Sequence, residues 1–112
     1  MGKVKGRDRH TSLLRRGVRI KKGPMELVFL SEKGENPCLA FAIPKTVGKA
    51  VVRNKIRRKY REAFRKLLYE KPEIFLQGNY LIKIHSSESE NLNTNELLET
   101  VLTDLKFKHG ND

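Results

Sequence analysis

The stretch that decides the fold is residues 49–66, KAVVRNKIRRKYREAFRK. At about 100° per residue, its apolar side chains gather on one arc of a helix. That arc consists of Val52, Ile56, Tyr60, Ala63 and Phe64, with Leu67 just beyond the stretch. The periodicity predicts a long amphipathic helix over residues 47–69, which Pro72 ends because proline cannot continue it.

The other side of this helix carries a continuous positive stripe. Asn54, Arg57, Arg58, Arg61 and Arg65 follow one another at i, i+3, i+4, i+7 and i+11, with Lys55, Lys59 and Lys66 alongside. Glu62 is the only acid in the stretch. Like charges at this spacing destabilise a helix by roughly 0.2–0.5 kcal/mol per pair, a cost that bound phosphates would reverse. The stripe therefore predicts a nucleic-acid interface, and the alternative is a solvated, basic helix face.

The residue types on the stripe favour the nucleic-acid interpretation. Arginine outnumbers lysine there, and its planar guanidinium matches phosphate geometry and can stack on bases. Asn54 both donates and accepts hydrogen bonds, so it can contact a 2′-hydroxyl, a base edge or a hydrated ion. The whole chain has 24 Lys and Arg against 13 Asp and Glu, a net charge of +11, which favours RNA, DNA or an acidic membrane surface as partner.

Composition excludes several classes of protein. The 112 residues suffice for one domain, and no apolar run approaches the length of about 18 residues that a membrane span needs. Cys38 is the only cysteine, so no internal disulfide or cysteine-based zinc site can form. The three histidines are isolated in the sequence and predict no metal site. We therefore expect a cytoplasmic protein.

Strand and turn signals lie on both sides of the basic helix. Residues 25–30 and 38–43 predict two strands joined as a hairpin through the Gly-, Asn- and Pro-containing residues 31–37. Residues 79–85 are apolar enough for a central strand, and Asn93 with Glu96 predicts the capped start of a final amphipathic helix. Residues 11–16 predict a short helix ended by Gly17, and residues 1–9 and 108–112 predict flexible ends. These elements predict a single-domain α+β fold, one sheet with helices packed on it.

The basic helix resembles the signature of the bacterial ribonuclease P protein family. The resemblance lies in Arg53-Asn54-Lys55, then Ile56-Arg57-Arg58, then Arg61-Glu62-Ala63-Phe64, preceded by a similar lead-in over residues 45–52. It implies an α-β sandwich with a mixed sheet and a left-handed β-α-β crossover, as in a ribosomal protein domain. Such crossovers are normally right-handed, so periodicity alone predicts the opposite hand.

The resemblance also implies a function and its residues. Members bind a catalytic RNA, which holds the Mg²⁺ ions, and help it remove the 5′ leader of precursor tRNA; no catalytic or metal-binding residue, membrane contact or stable protein partner is expected of the protein. The RNA-binding residues would be Lys49, Arg53, Asn54, Lys55, Arg57, Arg58, Arg61 and Arg65. A leader cleft would be lined by His10, Leu14, Val28, Ala42 and Lys45. His10 and Leu14 stand where the family usually has phenylalanines on which a leader base can stack.

Two other functions remain open on the residues alone. A ribosomal or general RNA-binding protein would carry the same charge and bind RNA without preferring a catalytic RNA. A protein-only nuclease would need clustered carboxylates or histidines for metal or acid–base chemistry, and the acids here are scattered.

Overall fold

The computed structural model describes residues 2–3, 17–32, 34, 36–87 and 93–110. Within these ranges the chain forms five strands and two α-helices. The strands are β1 (Gly2–Lys3), β2 (Val18–Lys22), β3 (Met25–Ser31), β4 (Cys38–Ala42) and β5 (Gly78–Ile84), and the helices are α1 (Ala50–Glu70) and α2 (Thr94–Gly110). Short 3-10 turns at Lys45–Val47 and Pro72–Ile74 precede and follow α1.

The strands make one mixed sheet in the order β1-β4-β5-β3-β2. β3 pairs antiparallel with both β2 and β5, whereas β4 runs parallel to β5 and to β1. Since β4 and β5 are parallel neighbours, α1 is the crossover that joins them. The α+β architecture predicted from the sequence is confirmed.

One predicted pairing is wrong. The turn residues 31–37 predicted a hairpin between β3 and β4, but β5 lies between these two strands and pairs with both. The physical reason is the composition of β5, whose residues are all buried except the half-buried Lys83. A strand that is apolar on both faces is most stable at the centre of the sheet, where both faces are covered.

One strand was not predicted, and the long helix begins later than predicted. β2 was not predicted, because its sequence VRIKK offers only the alternating, half-buried Val18 and Ile20 between charged residues. It joins β3 through a turn at Gly23-Pro24, where Gly23 has a φ of 59°. The helix α1 begins three residues later than predicted, because residues 45–47 form a separate 3-10 turn that ends at Gly48.

The main core lies between the sheet and the two helices. Ile56, Tyr60 and Phe64 of α1 have no exposed surface, as the periodicity predicted. They meet the predicted apolar stripe of α2, of which Leu98, Val101, Leu102 and Leu105 are buried. Aromatic rings join α1 to the central strand, with the Phe64 and Tyr80 centroids 5.4 Å apart at a near-perpendicular angle. This packing holds the apolar face of α1 down and leaves its basic face outward.

The predicted capping of α2 is present. The Oδ1 atom of Asn93 accepts a hydrogen bond from the backbone N–H of Glu96 at 3.2 Å. The cap satisfies one of the N–H groups that have no partner within the helix. At its other end, α2 continues to Gly110, into the stretch predicted as a flexible tail.

Tyr80 makes stability at alkaline pH depend on its protonation. Burial raises the pKa of Tyr80 to about 12, although the backbone N–H of Leu76, which donates to the Tyr80 hydroxyl oxygen at 2.7 Å, acts in the opposite direction. The folded state therefore keeps the phenol proton between the unfolded pKa of about 10 and the folded value. The stabilisation is fully present below pH 10 and is lost as the pH rises through 12.

We expect the free energy of unfolding to fall by on the order of 2 kcal/mol from pH 10 to pH 12 because of this one group. Denaturant unfolding across this range measures it. Tyr80→Phe is less stable throughout but lacks this part of the pH dependence, so parallel curves for the two proteins would contradict the assignment.

Candidate nucleic-acid interface

The basic residues predicted to bind RNA lie on the outer face of α1 or at its start. Asn54, Arg58 and Arg65 are exposed, whereas Arg57 and Arg61 are half-buried along one edge of the same face. We call Asn54, Arg57, Arg58, Arg61 and Arg65 the arginine stripe. Lys49 and Lys55 are exposed beside it, and Arg53 is half-buried at the first turn. The helical positions inferred from the sequence are confirmed.

Side-chain contacts hold three of the arginines in place. The Nη1 atom of Arg57 donates to Oδ1 of Asn54 at 2.7 Å, and Nε of Arg53 donates to the carbonyl of Gly48 at 3.1 Å. The guanidinium carbon of Arg61 lies 5.7 Å from the centroid of the Phe41 ring, over its face. Such contacts reduce the rotamer freedom that an arginine would otherwise lose on binding a ligand. The stripe is therefore partly preorganised.

The contact with Arg57 specifies the role of Asn54. Its carbonyl oxygen already orients the neighbouring guanidinium, while its amide nitrogen still offers donors to a ligand. The sequence indicated only that Asn54 could donate and accept. In the folded protein, the hydrogen bond from Arg57 shows that Asn54 orients this guanidinium.

Two lysines beside the arginine stripe lie on the side of α1 away from Arg57 and Arg61. Lys59 and Lys66 line a cavity of about 390 Å³ between α1 and the first residues of α2, together with Glu62. The positive surface of α1 therefore extends past the arginine stripe to the far side of the helix. No acidic side chain occupies its first turn, so the positive end of the helix dipole adds to the charge of Lys49 and Arg53.

Of the residues predicted to line a leader cleft, those that the structure describes lie on or beside the other face of the sheet. A second apolar cluster lies on the face of the sheet opposite α1 and α2. It is built around Val28, Cys38 and Leu81, and Ala42 packs against it. Val28 has no exposed surface, whereas Ala42 is half-buried and Lys45 is exposed just after β4. Ala42 and Lys45 are therefore accessible to a ligand, whereas Val28 is not. His10 and Leu14 lie outside the described residues.

A row of charged residues on this second face was missed in the sequence. The strand register aligns Lys21, Glu26, Lys83 and Ala42 across four strands. Oε1 of Glu26 lies 3.5 Å from Nζ of Lys83 and 3.5 Å from Nη1 of Arg19. With Arg19 beside the row, three cations outnumber the single carboxylate, so this part of the face is net positive. Alternation with Ile82 and Ile84 could have placed Lys83 on this face, but the register that assembles the row is not visible in the sequence.

Among the residues that the structure describes, no helix is both long and apolar enough to cross a membrane. Among the same residues, no three His, Cys, Asp or Glu side chains come together in a group that could hold a metal ion.

Comparisons with known proteins agree with this geometry. The family model described as Ribonuclease P matches residues 2–106. The ribonuclease P protein component of Carboxydothermus hydrogenoformans is 28% identical over 102 residues, covering 89% of this chain and 84% of that protein.

Two solved structures have the same fold. The RNase P protein of Staphylococcus aureus has a TM-score of 0.78 at 21% identity, covering 95% of this chain and 96% of its own. The RNase P protein of Thermotoga maritima has a TM-score of 0.76 at 19% identity, covering 93% and 97%. At this level of identity the structural likeness shows the fold, while the family model spans nearly the whole sequence. The chain belongs to the ribonuclease P protein family.

Proposed function

We propose that this protein is the protein subunit of ribonuclease P and binds the catalytic RNA through the arginine stripe and the basic residues around it. In that complex it assists the endonucleolytic removal of the 5′ leader from precursor tRNA, the step that matures the tRNA 5′ end. The observation that carries the proposal is the arginine stripe, which lies on a chain of the ribonuclease P protein family. Within the stripe, Asn54 orients Arg57, and the Phe41 ring of β4 contacts Arg61.

The stripe suits a phosphate backbone for physical reasons. Its arginines follow one line along α1, and each planar guanidinium can give two parallel hydrogen bonds to one phosphate. Binding would also relieve the repulsion between arginines three and four residues apart. Because such contacts release counterions from RNA, the affinity should depend steeply on salt.

The chemistry belongs to the RNA in this proposal, and Mg²⁺ would be held mainly there. Hydrolysis of a phosphodiester with metal help needs ligands such as clustered carboxylates, and the described residues supply no such group. No side chain of the protein is assigned a catalytic role. The protein contributes positive charge and positions the substrate.

The second face of the sheet suits the leader of precursor tRNA. Half-buried Ala42 adds little bulk beside the second apolar cluster, so a single strand can approach the sheet closely there. Lys45 and Lys83 offer cations to its phosphates near the carboxyl ends of β4 and β5, which run parallel. Cations placed along the path of a backbone are typical of proteins that bind single strands. The burial of Val28 favours packing as its role, with Ala42 and Lys45 nearer the strand.

Reconstituted cleavage tests the proposal. Precursor tRNA is incubated with the ribonuclease P RNA, with and without this protein, across a magnesium titration. We expect the protein to lower the magnesium concentration needed for cleavage, because its cations replace part of the charge neutralisation that magnesium supplies. A basic protein of unrelated fold and similar net charge is the control. If the folded protein bound RNA tightly but gave no more stimulation than this control, a general RNA-binding function would replace the proposal.

A further inference from the structure

An exposed aromatic ring continues the arginine stripe at the carboxyl end of α1. Tyr69 is 89% exposed, whereas Tyr60 and Tyr80, the other tyrosines of the chain, have no exposed surface. Tyr69 follows Arg65 by four residues and Arg58 by eleven, spacings that place all three on one side of a helix. Single exposed aromatics are common on protein surfaces, so the argument rests on where this ring lies.

The apolar arc of α1 does not include Tyr69. That arc packs on the sheet through Ile56, Tyr60 and Phe64, on the other side of the helix. With most of its surface in water, the Tyr69 side chain contributes little to the core. It is a large flat surface in line with arginines that carry the proposed RNA contacts.

We propose that Tyr69 is a stacking platform for an unpaired base of the RNA that the arginine stripe binds; the identity of that RNA rests on the proposed function. Four residues of helix rise by about 6 Å, which places Arg65 one turn from the ring. A nucleotide whose base stacks on Tyr69 can therefore direct its phosphate towards Arg65. Bases inside a continuous duplex are already stacked on each other, so the platform selects a single-stranded or bulged nucleotide.

Stacking and charge contribute to affinity in separable ways. Arginine contacts with phosphates make the affinity fall steeply with salt. Stacking on an uncharged ring depends on the faces of the ring and the base and involves no counterion release. Loss of the Tyr69 ring should therefore weaken binding without changing the salt slope, and loss of an arginine should change both.

The experiment compares three variants of the full chain. Tyr69→Ala removes the ring, Tyr69→Phe keeps it without the hydroxyl, and Phe107→Ala removes an aromatic residue of α2 that is 74% exposed. Dissociation constants are measured with the ribonuclease P RNA, with a single-stranded oligoadenosine and with a blunt RNA duplex of the same length. All variants should keep the melting temperature of the parent, because these side chains are largely exposed.

We expect Tyr69→Ala to bind the oligoadenosine and the ribonuclease P RNA about five- to one-hundredfold more weakly, with an unchanged salt slope. Duplex binding should not change, and Tyr69→Phe and Phe107→Ala should match the parent. Incorporated 3-fluorotyrosine provides a direct readout by fluorine NMR. The resonance that Tyr69→Phe lacks should shift when oligoadenosine is added, while those of Tyr60 and Tyr80 stay in place.

Three results would overturn the proposal. They are parental affinity of Tyr69→Ala for both the oligoadenosine and the ribonuclease P RNA, an equal loss in Tyr69→Phe, and an equal loss in Phe107→Ala. None of these measurements involves cleavage. The two proposals can therefore fail separately. If the protein did not stimulate precursor-tRNA cleavage but Tyr69→Ala weakened oligoadenosine binding, the proposed function would be wrong and the stacking role of Tyr69 would be supported.

Discussion

Replacing Arg57 and Arg61 together by alanine is expected to weaken binding to the ribonuclease P RNA by about one-hundredfold at 0.1 M salt. Each phosphate contact contributes about −0.9 on a B-form DNA duplex, or −0.7 on a single strand, to the slope of log affinity against log salt, and contacts with RNA should act in the same way. The double variant should therefore flatten that slope by about one to two units. Both side chains are held against neighbours in the free protein, so their contacts with RNA should form at little entropic cost.

Binding measured at several salt concentrations tests this expectation. Lys106→Ala with Lys108→Ala removes the same charge from α2, away from the arginine stripe, and should leave the slope nearly unchanged. Arg57→Lys with Arg61→Lys keeps the charge, so it should retain most of the slope but lose the affinity that depends on the planar guanidinium. A double alanine variant with the parental slope would show that the arginine stripe does not contact RNA.

Replacing Gly78 by alanine is expected to destabilise the fold by about 2–6 kcal/mol, a large part of the roughly 5–15 kcal/mol typical of a domain. Gly78 begins β5 at a φ of 149°, in a region that residues with a side chain rarely adopt. An added Cβ would lie 2.3 Å from the carbonyl oxygen of Leu30 and 2.9 Å from the Phe29 ring. The oxygen belongs to the backbone of the paired strand β3, so it cannot move without opening the sheet at this point.

Gly23→Ala separates the two parts of that effect. Gly23 has a φ of 59°, but a Cβ there would meet no atom within 4 Å. It should therefore lose only about 1–2 kcal/mol from backbone strain. Urea denaturation of both variants measures the difference, and equal losses would show that the close approach to Leu30 is relieved by a small shift.

Several features could be predicted because they depend on residues close together in the chain. The two faces of α1 follow from helical periodicity, since Ile56 and Arg57 are neighbours in sequence but lie on different sides of the helix. The cap at Asn93 is likewise a contact over three residues. The central place of β5 follows from its apolar composition on both faces.

Features that depend on distant residues were missed or predicted wrongly. The loop over residues 31–37 looks like a hairpin, but the partner of β3 is β5, about fifty residues further along the chain. The charged row of Lys21, Glu26 and Lys83 exists only because the register aligns three strands. The contact of Arg61 with Phe41 joins a helix to a strand that precedes it by twenty residues.

By itself, the sequence determined the helix, its buried arc and the basic face that points away from the core, because each of these follows from local periodicity and charge. It also carried the motif of residues 53–64, which points to the ribonuclease P family. Only the tertiary structure decided which strands pair, why Gly78 must be glycine, how Arg57 and Arg61 are held and which cations share the second face of the sheet. Strand pairing and register depend on burial across the whole domain, and no short stretch of sequence contains that information.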